Sequence, residues 1–194
     1  MIRTFLAIDL PGSHQKGLTQ VQKQLKQSNA DVRWVPVGNI HLTLKFFGNV
    51  KESEVQTIGA ATAAVARQFP PFDLQVAGAG AFPSIKSPRV IWLGIRGQTE
   101  VLSQLYYGLE QAFATLGYLP ENRRFNPHLT LGRVRSPRHR EKLSQMFETL
   151  ISPTFPVFRV SNLILFRSTL TPQGAIYTPL QILPLGTETQ TQRK

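Results

Sequence analysis

The 194-residue chain has no cysteine. That excludes disulfides and thiolate metal sites, and it suits a reducing compartment, so a cytoplasmic location is expected. Long apolar runs are missing too: nothing approaches the ~20 consecutive apolar residues of a membrane-spanning helix. The amino-terminal run Met1-Ile2-Arg3-Thr4-Phe5-Leu6-Ala7-Ile8-Asp9-Leu10 is interrupted by Asp9, and no small-residue cleavage site follows. It is therefore not read as a secretory signal. No glycine-rich loop of the Walker or Rossmann type is present. Acidic residues are scarce, with 11 Asp and Glu against 22 Lys and Arg, a net charge of +11. Such an excess favours a polyanionic partner, because phosphates attract cations and release their own counterions on binding. Apolar residues still make up 41%, enough for a core and too many for a disordered chain.

Periodicity then divides the chain. Residues 3–10 alternate as a strand ending at Pro11-Gly12, and Ser13 caps a helix carrying Leu18, Val21 and Leu25. Ile40 to Phe47 is β-rich, and Ser53 opens a helix with Val55, Ile58, Ala61 and Val65 on one stripe. Asp73 to Phe82 and Val90 to Ile95 read as strands, with Pro83 to Pro88 as a loop. The second half predicts a helix from Glu100 to Gly117, a strand from Phe125 to Val134 and a helix from Arg138 to Leu150. Strands from Val157 to Phe166 and from Ala175 to Leu183 follow, and Gly186 to Lys194 reads as a frayed tail.

One register relates the two halves. His41-Leu42-Thr43-Leu44 repeats 87 positions later as His128-Leu129-Thr130-Leu131. The same offset aligns Phe5-Leu6-Ala7-Ile8 with Trp92-Leu93-Gly94-Ile95, and Glu54 with Glu141. The expectation is a single domain over residues 1–185, α/β in class (α+β). It has two pseudo-symmetric lobes, each an antiparallel sheet covered by helices. A cleft lies between them.

Side chains two apart on a strand share a face. His41 and Thr43 therefore project together, as do His128 and Thr130, while the leucines point to the core. Two imidazoles on one cleft suit in-line attack at phosphorus. A neutral imidazole takes a proton from the nucleophile, and a protonated one gives a proton to the leaving oxygen. The threonine hydroxyls can donate to the non-bridging oxygens. Zinc would need a third protein ligand; neither tetrapeptide has a carboxylate beside it, and no metal or cofactor is expected. His14, early in a helix, and His139, between Arg138 and Arg140, read as surface residues.

The paired tetrapeptides resemble the His-x-Thr-x motifs of the two-histidine phosphoesterases, and most closely their RNA 2′,3′-cyclic phosphodiesterase branch, whose bacterial and archaeal members were first called 2′-5′ RNA ligases. The likeness extends through Phe5-Leu6-Ala7-Ile8-Asp9-Leu10-Pro11, Asn39-Ile40-His41-Leu42-Thr43-Leu44-Lys45-Phe46-Phe47-Gly48, Pro88-Arg89-Val90-Ile91-Trp92-Leu93-Gly94 and Tyr177-Thr178-Pro179-Leu180. The resemblance implies that His41 is the proton donor and His128 the proton acceptor. It implies that water opens a 2′,3′-cyclic phosphate to a 2′-phosphomonoester, with an RNA end as partner. It implies no cofactor, and no obligatory protein partner is inferred. It also matches Arg133 to an arginine that approaches the phosphate.

Strict alternation puts Arg133 opposite His128 unless Gly132 hosts a bulge. Lys45 falls at an even offset from His41 and should share the cleft face. Arg89 is expected at the cleft mouth. Phe46, Phe47, Trp92 and Tyr177 are candidates for stacking a base, with core packing the stronger expectation for Phe46 and Trp92. Two rivals stand beside hydrolysis: ligation through the same phosphodiester chemistry in reverse, and an RNA-end-binding module without catalysis. Intact His and Thr in both motifs argue against the module.

Overall fold

The computed structural model describes residues 1–172 and 174–187. Along them run β1 (Ile2–Ile8), α1 (Gln15–Lys26), β2 (Val32–Trp34), β3 (Leu42–Val50), α2 (Glu54–Ala66), β4 (Phe72–Ser84) and β5 (Ser87–Gly97). Then follow α3 (Thr99–Thr115), β6 (His128–Val134), α4 (Arg140–Glu148), β7 (Val157–Val160), β8 (Asn162–Thr171) and β9 (Gly174–Pro184). Among the described residues no helix is long and apolar enough to cross a membrane.

All strands join one antiparallel sheet in the order β7-β4-β5-β6-β3-β1-β8-β9, with β2 pairing to β6. Its seam is a single register pair, Leu42 opposite Leu129, the second residues of the two repeated tetrapeptides. Beyond that pair β3 leaves β6, and β2 takes the vacated edge through Val32–Val134, Arg33–Arg133 and Trp34–Gly132. The two lobes thus meet edge to edge. Each helical layer draws on both halves of the chain: α1 packs on α4, and α2 on α3. Leu42, Leu44, Leu129 and Leu131 are all buried, as alternation requires.

The long strand expected over Val157 to Phe166 is two strands, broken at Ser161: β7 pairs with β4 and β8 with β1. One residue separates them in the chain and five strands in the sheet. The sheet must therefore curl until its β7 edge comes round to β8. This follows the right-handed twist that strands accumulate. Pro83 to Pro88 is not a loop, since Pro83 faces Pro88 inside the β4–β5 hairpin and only Ile85-Lys86 turns. Two opposed prolines have no N–H to lose there, at the end of a ladder already interrupted between Phe82 and Pro83. β6 starts at His128 rather than Phe125, whose ring stacks on Tyr106 at 3.9 Å instead.

The helix after β1 begins at Gln15, and Ser13 gives it no side-chain cap. His14 is a correction as well. It is only 1% exposed, bonds through Nε2 to the Pro156 carbonyl at 3.2 Å and packs on Phe155 and Phe158. The segment expected to fray starts anchored: the Gly186 N–H donates to the Phe69 carbonyl at 2.8 Å. The rest of that segment, 188–194, lies outside the described residues.

Candidate active site

Both histidines are held in the same way. His41 Nδ1 lies 2.8 Å from the Asn39 carbonyl, and His128 Nδ1 lies 2.7 Å from the Asn126 carbonyl. A carbonyl only accepts, so Nδ1 carries the proton in each ring and Nε2 is left free. Among the described residues no protein group bonds to either Nε2 or to the hydroxyls of Thr43 and Thr130. Continuing the antiparallel register from Leu42–Leu129 sets His41 across from Thr130 and Thr43 across from His128. The four side chains expected together do share one face at the seam, as two His-Thr pairs related by the pseudo-twofold.

Aromatic rings wall each imidazole. His41 stacks on Phe5 at 4.7 Å and meets the edge of Tyr177 at 5.3 Å. Phe5, Ala7, Ile164 and Phe166 form a small second core beneath it, with Tyr177 against them. His128 meets Phe82 edge-on at 5.0 Å, with Trp92 6.4 Å away. Gly80 makes room for that indole, whose ring atoms fill the place where a Cβ would stand. Burial lowers both histidines below the ordinary 6.5, because charging a ring here costs hydration. The bonds to the Asn39 and Asn126 carbonyls oppose the shift. Beyond these shared influences the two rings differ. Asp9 favours the charged form of His41, and Arg133 disfavours the charged form of His128.

Two β-bulges decide which neighbours join the site. On β6, Ile91 faces Gly132 and Trp92 faces Thr130, so Leu131 is an extra residue. On β3, Leu6 faces Lys45 and Ala7 faces Thr43, so Leu44 is extra. Past an extra residue the alternation changes phase. The first bulge turns Arg133 onto the face of His128 and Thr130. The second turns Lys45 away from His41. Lys45 is 5% exposed, its Nζ 2.9 Å from Glu110 Oε1 and 2.7 Å from the Leu119 carbonyl. It ties β3 to α3 and does not reach the cleft, which corrects the expectation from even spacing.

The same phase change brings Phe46 to the cleft, where it pairs with Phe5 and is 52% exposed; core packing was expected of it. Phe47 packs between Phe113 and Tyr118. Arg89 is exposed and is the extra residue between the Phe82–Val90 and Pro83–Pro88 pairs, so strand alternation does not assign it a face. Sequence reasoning missed Arg33, which the β2–β6 register sets opposite Arg133. A strand of three residues has no periodicity to read. It also missed Asp9, treated only as a break in an apolar run. Among the described residues no group of three or more His, Cys, Asp or Glu could hold a metal ion.

The chain matches the LigT like phosphoesterase family twice in tandem, over 8–92 and 93–177. A protein of Methanothermobacter thermautotrophicus named RNA 2′,3′-cyclic phosphodiesterase is 39% identical over 184 residues, covering 95% of this chain and 99% of its own. A crystal structure from Thermus thermophilus superposes with a TM-score of 0.77 at 28% identity, covering 97% of this chain and 100% of its own. The crystal structure of E. coli LigT complexed with 3′-AMP gives 0.71 at 28%, covering 95% and 98%.

Proposed function

The chain belongs to the LigT like phosphoesterase family, and on that premise we propose that it hydrolyses RNA 2′,3′-cyclic phosphate ends to 2′-phosphomonoesters with His41 and His128 as the acid and base. The relative named for that activity is matched along nearly its whole length, and a neighbour of the same fold takes a 3′-phosphorylated nucleotide. The observation that carries the reading is the pair of rings fixed at Nδ1 with Nε2 open to one face.

The roles are those the resemblance implies; burial shifts both rings toward the neutral form, and the lesser influences of Asp9 on His41 and Arg133 on His128 run in the direction these roles need. His128, beside Arg133, is the ring held neutral, and its Nε2 takes a proton from the attacking water. The new oxygen–phosphorus bond forms in line with the bond to the 3′ oxygen. That bond breaks, and His41, whose charged form Asp9 favours, delivers its Nε2 proton to the departing 3′ oxygen. The hydroxyls of Thr43 and Thr130 and the guanidinium of Arg133 meet the non-bridging oxygens, where negative charge gathers. Tyr177, edge-on to His41, and exposed Phe46 offer faces to the terminal base. We read residues 1–185 as one bilobal domain built by duplication, a reading supported by the tandem family match. The absence of cysteine supports a cytoplasmic site of action. We take the enzyme to act without an obligatory protein partner.

The test is incubation of the protein with an oligoribonucleotide ending in a 2′,3′-cyclic phosphate, in excess EDTA. A 2′-phosphomonoester at undiminished rate is expected. Activity lost in chelator and restored by zinc or manganese would overturn the metal-free mechanism. Joined strands as the main product would favour ligation.

A further inference from the structure

Around Tyr177 the cleft carries more positive charge than a single reacting phosphate requires. Arg33 and Arg133 are direct register partners on β2 and β6, so their side chains leave the same face of the sheet. That is the face of His128, because Arg133 pairs with Val90, two residues from Trp92 on β5. Arg3 comes from the other lobe. On β1 it alternates with Phe5 and Ala7, while Thr4 and Leu6 point inward, fully buried. Phe5 touches both His41 and Tyr177, the latter at 4.9 Å. All three arginines are exposed, and all three act electrostatically on the Tyr177 hydroxyl, which burial otherwise governs.

Folding alone gives no reason for this arrangement. Like charges directly opposite on paired strands destabilise them. Among the described residues the ion pairs are Lys45–Glu110 and Arg159–Asp73, so no carboxylate neutralises Arg3, Arg33 or Arg133. An unneutralised cluster beside a phosphate-processing site is relieved by a second phosphate. At the position on β3 equivalent to Arg133 stands Phe46, exposed and apolar. The pseudo-twofold is therefore broken in charge, with a cation from β6 where β3 gives an apolar ring.

We propose that Arg3 and Arg33, beside Tyr177 and next to the Arg133 that meets the reacting phosphate, form a second phosphate subsite for the phosphate on the 5′ oxygen of the terminal nucleotide, which in an RNA strand is the last internucleotide linkage. This rests on the proposed hydrolysis for its orientation, with the reacting cyclic phosphate at the histidines. It makes the enzyme selective for the end of a strand over a cyclic mononucleotide.

Equilibrium binding tests it without requiring turnover. The probes are adenosine 2′-monophosphate, adenosine 2′,5′-bisphosphate, and the dinucleotide ApA carrying a terminal 2′-phosphate, each titrated into the wild-type protein and into Arg33→Gln and Arg33→Lys. Arg33 is exposed on an edge strand, so both variants should fold, which thermal melting checks. The wild type is expected to bind the bisphosphate and the dinucleotide at least about tenfold tighter than the monophosphate, the usual gain from charge-assisted bonds to one more phosphate. Arg33→Gln should bring the three affinities close together, and Arg33→Lys should retain part of the difference. Equal affinities in the wild type, or an advantage untouched by Arg33→Gln, would overturn the subsite. An advantage for the bisphosphate without one for the dinucleotide would overturn its assignment to an internucleotide linkage. Cleavage of a cyclic-phosphate end is assayed separately. A preference that disappears in Arg33→Gln while the wild type cleaves nothing leaves the subsite standing and removes the hydrolase reading.

Discussion

Removing either imidazole should cost much rate and little affinity. His41→Ala and His128→Ala are each expected to lower kcat by roughly 10²–10⁴, the range for loss of a general acid or base. The double variant should lose far less than the product of the two, because the pair acts as a unit. Single-turnover cleavage beside equilibrium binding of a 2′-phosphorylated end decides the point; binding lost as completely as cleavage would make the histidines binding groups. Their burial fixes the sign of the pH dependence. Both are lowered from 6.5 in the free protein, and kcat/KM reports the free enzyme. Its bell should therefore already be falling at pH values where an ordinary imidazole is half charged, since the acid must hold its proton. In the complex the bound phosphate favours imidazolium, so the bell for kcat should lie at higher pH. The limbs belong to the coupled pair rather than to named residues. A kcat/KM still rising above neutrality would contradict the paired mechanism.

At the scale of elements, the bulges at Leu44 and Leu131 do the sorting. Each adds one residue after its His-Leu-Thr, and the consequences are opposite: Arg133 is gained to the cleft and Lys45 is lost to the core. Lys45 then acts as a tie between β3, α3 and the Leu119 carbonyl. Lys45→Met should leave the Glu110 carboxylate buried without its partner and destabilise the protein by about 3–5 kcal/mol. Measured well below the melting point, kcat/KM should stay near that of the wild type. Denaturant unfolding and steady-state kinetics check both halves. A stable variant with a large loss in kcat/KM would return Lys45 to the site. On the other lobe Gln22 does related work from α1. Its Nε2 donates to the Val35 carbonyl at 2.8 Å and to the carbonyl of the bulged Leu131 at 3.1 Å, fastening β2 beside β6. Arg33 owes its place opposite Arg133 to that short strand.

For the whole molecule, the net charge of +11 and the single curled sheet act together. The charge draws a polyanion from a distance, and the sheet gathers three arginines from three strands around Tyr177. Affinity for a short single strand should fall with salt as a power of about −1.4, near −0.7 for each of the two phosphates held. Arg133→Ala should reduce that exponent by about 0.7. Titration of an oligoribonucleotide end over a range of monovalent salt measures both. A wild-type exponent near zero would mean that the charge is only a solvated surface.

The histidines, the threonines and the leucines behind them were legible in the sequence because the repeat supplies two copies of one pattern, and strand alternation converts the pattern into faces. Most helices and strands were legible for the same reason, since their apolar periods are long enough to count. What only the tertiary structure decided is everything that depends on phase or on closure. One inserted residue reverses a strand's faces, and no local signal marked Leu44, so Lys45 and Phe46 exchanged places with what spacing alone implied. His14 entered the core because the β6–β7 half of the chain folds back over it. Ser161 breaks what reads as one apolar strand, because the sheet must switch edges to curl. Arg33 and Asp9 reached the site through neighbours far away in sequence, and Asp9 on His41 and Arg133 on His128 put two histidines that the tetrapeptides leave identical in different fields.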